Sequence, residues 1–91
     1  RTALEEVPLL DLDEVETHYY VRTLTEDRVG VIAAIATVFG NEGVSLESVL
    51  QKEAHEEGAE IVWITHPTEE GRLRKALEGI RALPVVRQVA S

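Results

Sequence analysis

There is no cysteine in these 91 residues, and no methionine. The first absence removes thiolate catalysis, disulfides and cysteine zinc sites together. The second, with Arg1 in first place, leads to the expectation that the chain is a piece of a longer protein. Aromatics are scarce: two Tyr, one Phe and one Trp. No apolar run approaches the roughly 20 residues of a membrane span, and no signal-peptide pattern is present. A cytoplasmic location is the expectation. The length allows one domain and excludes a (β/α)₈ barrel, which needs about 250 residues.

Positive charge is also short, at 9 basic against 17 acidic groups and a net charge of −8. Residues 1–17 hold one basic and six acidic groups, a net of −5, which leaves −3 for residues 18–91. The basic footprint of a nucleic-acid binder is therefore missing. The acidity belongs mostly to a leader. Pro8 opposes a helix there, so residues 1–17 read as an extended acidic connector from an upstream domain, with a strand or arm packed on a neighbour as the alternative. The DLDEVE run (11–16) has no glycine turn and no EF-hand spacing, so it is a solvated acidic stretch rather than a calcium loop.

The remainder is strongly patterned. HYYVRTL (18–24) is rich in β-branched and aromatic residues and reads as a strand. Ile32, Ile35, Ala36 and Phe39 then fall at i, i+3, i+4 and i+7, widened by Val31 and Val38, which predicts a helix over about 29–42. Asp27 stands near its start, where a carboxylate accepts amide hydrogens. Gly43 suits the left-handed residue past its end, with Val44 packing back on Phe39. Residues 45–54 read as a second strand, HEEG (55–58) as a turn and 59–66 as a third strand. Ile61, Val62, Trp63 and Ile64 are apolar without alternation, so both faces of that strand are expected to be covered. Thr68 is the expected cap of a second helix with Glu69 and Glu70 in its first turn. Leu73, Ala76, Leu77 and Ile80 form its buried stripe. Pro84 ends it, and 85–90 is a last strand.

The order β-α-β-β-α-β is the ferredoxin-like, split βαβ arrangement of an α+β fold, two helices on one face of a four-stranded antiparallel sheet. Alternation in the first strand puts Tyr20, Arg22 and Leu24 on one face and Tyr19, Val21 and Thr23 on the other. Neither set is cleanly polar, which predicts association with another subunit or domain.

Catalytic and metal motifs are absent from the pattern. HEEGA (55–59) has Ala59 where H-E-x-x-H needs its second histidine, so zinc is unsupported. His55 is expected in solvent. Ser45 and Ser48 lack a G-x-S-x-G frame. No catalytic residue, metal or cofactor is assigned to this fragment. The informative segment is TEDRVGVIAAI (25–35). Gly30 falls in the first helical turn, where glycine costs about 1 kcal/mol relative to alanine, and a close approach by a backbone or ligand would explain it. Free amides of a helix start bind a carboxylate, and Asp27 beside them suits an ammonium group. Together they suit an amino acid. The plainer reading leaves Asp27 an N-cap and Gly30 a packing residue.

DRVGVIAAIATVFGNEGVSLESVLQ resembles the ACT-domain signature, with Val29 where that family usually has proline. VSLESVLQK (44–52), ITHPTEE (64–70) and ALPVVRQVAS (82–91) make the chain most similar to the C-terminal regulatory domain of bacterial homoserine dehydrogenases. The resemblance covers residues 18–91. It implies a βαββαβ domain that pairs as a homodimer or higher oligomer. It also implies an amino-acid effector, threonine first, bound at the paired interface. By motif position the effector-binding residues would be Thr25, Asp27, Gly30 and Val31 from the first turn and Ser45 and Leu46 from the start of the second strand, with Gln51 a looser candidate. The resemblance further implies an upstream catalytic domain that interconverts aspartate semialdehyde and homoserine with NAD(P). A structural dimerisation module without an effector, and an ACT domain of another amino-acid-biosynthesis enzyme, are the alternatives. RNA binding shares this topology, but the third strand lacks the aromatic and basic signature and the negative charge repels phosphate.

Overall fold

The computed structural model describes residues 15–91; the connector expected over 1–17 lies outside them up to residue 14. The elements run β1 (Glu16–Thr17), β2 (Tyr20–Thr25), α1 (Val31–Asn41), β3 (Leu46–Gln51), β4 (Ala59–Thr65), β5 (Thr68–Glu69), α2 (Glu70–Arg81) and β6 (Val86–Ala90). Four of the strands form one antiparallel sheet in the order β3-β4-β2-β6. This is the predicted βαββαβ arrangement. The two-residue strands β1 and β5 make a separate antiparallel ladder, Glu16 opposite Glu69 and Thr17 opposite Thr68. No described helix is long and apolar enough to cross a membrane.

The core lies between the sheet and the two helices. Val21, Ile61 and Trp63 from the sheet meet Ile35 and Phe39 of α1 and Leu73, Ala76, Leu77 and Ile80 of α2. The Phe39 and Trp63 rings sit 5.6 Å apart and tilted by 45°, within the range in which aromatic pairs attract beyond their buried area. The end of α1 is built as its sequence predicts. Gly43 has φ 75°, its amide donates to Gly40 O at 3.0 Å, and the Val44 amide donates to Phe39 O at 2.9 Å. That is the Schellman pair of bonds, with Phe39 and Val44 both buried.

Three local expectations are corrected. The buried stripe of α1 is Val31, Ile35 and Phe39, while Ile32 is 39% exposed. The helix is rotated towards Val31, because Val31 and Ile32 both fit a helical apolar arc and packing against the sheet chose between them. Strand β4 is not covered alike on both faces: Ala59, Ile61, Trp63 and Thr65 are buried and Glu60, Val62 and Ile64 are half-buried. The helices lie on the first of these faces. Thr68 does not cap α2. It is buried in β5, and the residue at the helix N-cap is Glu69, whose side chain makes no capping bond.

Candidate functional site

Strand β2 delivers its last residue, Thr25, to the start of α1 through a short turn. The Glu26 amide is tied to Val85 O at 2.8 Å and the Arg28 amide to Glu26 O at 3.1 Å. Gly30 then takes φ 89° as the N-cap, and α1 begins at Val31. A Cβ at Gly30 would meet nothing within 4 Å. The glycine is required by its left-handed backbone rather than by the close approach expected for it. Asp27 is not the N-cap. It is exposed, and the start of α1 has no side-chain cap at all.

The amides of that first turn are consequently open. Ala34 is the first to reach the carbonyl four residues back, Gly30 O at 2.9 Å, and the Val31 amide only reaches Arg28 O at 3.4 Å. The Ile32 and Ala33 amides have no carbonyl partner among the described residues. A helix start with unsatisfied N–H groups carries partial positive charge and favours an anion.

These amides face a cleft of about 480 Å³. Of the residues predicted for an effector, Thr25, Asp27, Gly30, Val31 and Gln51 all line it. Thr25 is buried, and its hydroxyl donates to Glu26 O at 3.0 Å, so it shapes the wall and its proton is already committed. The floor is Ala59 and Ile61 of β4, which the sequence reading missed. Only the β2–β4 register, with Thr25 opposite Ala59, brings them there. At the mouth Arg28 pairs with Glu26 at 3.5 Å, the guanidinium well exposed and the carboxylate half-buried, and Val29 projects fully into solvent.

Ser45 and Leu46 are elsewhere. Leu46 lies opposite Thr65 while Gln51 lies opposite Ile61, so the start of β3 is at the far end of the sheet from the cleft. Ser45 O accepts the His66 amide at 2.9 Å. His55 is exposed, in a turn closed by its two backbone bonds with Gly58. Among the described residues no group of three or more His, Asp or Glu is placed to hold a metal ion.

The ACT-domain family model matches residues 19–85. Homoserine dehydrogenase from Pseudomonas aeruginosa is 36% identical over 92 residues, covering 93% of this chain and 21% of that protein. Homoserine dehydrogenase from Synechocystis sp. is 42% identical over 80 residues, covering 88% and 18%. The crystal structure of a homoserine dehydrogenase from Thiobacillus denitrificans superposes with a TM-score of 0.77 at 32% identity, over 91% of this chain and 18% of that one. The ACT domain from GTP pyrophosphokinase of Chlorobium tepidum, at 14% identity and a TM-score of 0.66, covers 82% of this chain and 96% of its own and shares the fold. The chain thus spans about a fifth of the length of the curated relatives it matches. With a family match across most of its length, and with the C-terminal region of homoserine dehydrogenases as its counterpart, the chain belongs to the ACT-domain family.

Proposed function

We propose that this domain regulates a homoserine dehydrogenase by binding an amino-acid effector, threonine first, at an interface between two copies. The parent enzyme would interconvert aspartate semialdehyde and homoserine with NAD(P), its catalytic domain lying upstream. The observation that carries this reading is the cleft at the start of α1. Open amides of the first turn suit a carboxylate, exposed Asp27 at the mouth suits an ammonium group, and Ala59 and Ile61 offer an apolar floor to a short side chain.

The position of the edge strand supports the two-copy form. β3 is an edge of the four-stranded sheet, with Val49 and Leu50 37% and 54% exposed. Antiparallel pairing of β3 with its own copy, centred on Ser48 and Val49, would bring Gln51 towards the start of the partner's β3. Ser45 and Leu46 would then complete the cleft of the neighbouring protomer rather than their own. Effector binding across that seam favours one quaternary arrangement and acts reciprocally on the parent's active site.

Calorimetry with threonine, homoserine, methionine, lysine and isoleucine tests the reading. Threonine is expected to give heat, and Asp27→Ala to weaken it about tenfold or more, the scale of one lost charge-assisted contact. No heat with any of the five would overturn it. The exposed apolar Val29, Ile32 and Val49 also suit a second reading, a purely structural pairing module. That module would sediment as a dimer with no response to any of these amino acids.

A further inference from the structure

Thr65 makes three hydrogen bonds to one neighbouring segment. Its amide donates to Tyr19 O at 3.0 Å, its hydroxyl accepts the Tyr19 amide at 3.0 Å, and its carbonyl accepts the His18 Nδ1 proton at 2.9 Å. All of these bonds go to the segment by which the chain enters the fold. Just before it, Glu16 and Thr17 are zipped to Thr68 and Glu69 at the start of α2. Just across from it, Leu46 shares a register position with Thr65.

The strand β3 is irregular at this point. Register passes from Leu46 opposite Thr65 to Ser48 opposite Ile64, leaving Glu47 as an extra residue. A bulge of this kind re-aims its side chain. Here the Glu47 carboxylate comes within 3.5 Å of the same His18 Nδ1 that bonds Thr65 O, both side chains about half exposed. A side-chain contact so exposed is weak even between full charges, and a ladder of two residue pairs is short. Glu16–His18 are thus held by a short ladder and exposed contacts, the kind of attachment that opens locally in proteins, while Tyr19 packs against the core.

We propose that Glu16–His18 is a latch, and that His18 and Glu47 are the contact through which effector occupancy reaches the chain upstream. This rests on the effector reading above. In the antiparallel pair, an effector held in one cleft touches the start of the partner's β3. Binding fixes that start, holds the bulge against His18 and keeps the latch shut. The coupled element is thus in the protomer opposite the one whose helix binds the carboxylate. His18 and Glu47 are positioning residues that touch no ligand.

Hydrogen exchange by mass spectrometry over residues 15–20, with calorimetry on the same samples, tests the latch using L-threonine. Threonine is expected to slow exchange in this peptide about fivefold or more, the lower end of ordinary allosteric coupling. Glu47→Gln and His18→Ala should keep the binding constant within about twofold, a small free-energy change, and lose the slowing. Threonine binding without slowed exchange in the wild-type chain would overturn the latch and leave the effector reading standing. Slowing retained in both variants would overturn the assignment of His18 and Glu47. No heat with any of the five amino acids would remove the effector reading, and the latch with it.

Discussion

The indole N–H of Trp63 donates to the Thr23 hydroxyl at 3.0 Å, and both residues are fully buried. The same hydroxyl donates to Ile61 O at 3.3 Å. Two neighbouring strands are thereby joined by side chains as well as by their backbone ladder, beneath the helices.

Replacing Thr23 by valine keeps the shape and leaves the indole donor without its partner. A buried donor left unsatisfied costs about 1–3 kcal/mol. Thr23→Val should lower the stability by that amount in urea denaturation while the circular dichroism stays native. A loss below the error of the measurement would mean that the indole finds another acceptor.

Two glycines separate backbone strain from crowding. Gly30 and Gly43 both have positive φ, but a Cβ at Gly30 enters open space and one at Gly43 runs into the Arg72 guanidinium. A left-handed backbone costs a residue with a Cβ roughly 1–2 kcal/mol. Gly30→Ala should show that cost alone in thermal melts. Gly43→Ala should show nearly the same cost, because the half-exposed Arg72 guanidinium ends a flexible side chain that can swing clear. A clearly larger loss at Gly43, restored by Arg72→Ala in the same chain, would mean that Arg72 is held in place.

Glu60 is shared by Arg22 Nε at 3.3 Å and Lys52 Nζ at 3.1 Å, on the sheet face away from the helices. Arg22 and Lys52 are more than half exposed, so solvent screens the group. Glu60→Gln should change stability by less than about 1 kcal/mol, and by less still in high salt. A larger, salt-independent loss in a urea titration would show that something covers this face in solution.

The parts legible in the sequence are those fixed by local chemistry. Leu73, Ala76, Leu77 and Ile80 are all buried, as their spacing requires. Phe39, Gly43 and Val44 make the helix end that their order predicts. The turn at Gly30 is also legible, because a glycine at a helix start needs a reason. What was not legible depends on partners far along the chain. Ala59 and Ile61 reach the cleft only through the β2–β4 register. Thr68 reads as a cap until Thr17 is known to lie opposite it. Val62 and Ile64 continue the apolar run of Ile61 and Trp63, and nothing in that run says which face the helices take. Asp27 sits three residues before the actual N-cap, because the left-handed Gly30 delays the helix.

The extra residue at Glu47 also limits how far the β3 edge can pair. Flat apolar sheet margins are templates for fibrils, and an irregular kink is one of the ways proteins blunt them. Val49 and Leu50 lie just past the kink, so the greasy stretch available for edge-to-edge growth is only a few residues long. Such a margin supports a self-limiting, two-fold seam and gives little purchase to a third strand that arrives in register.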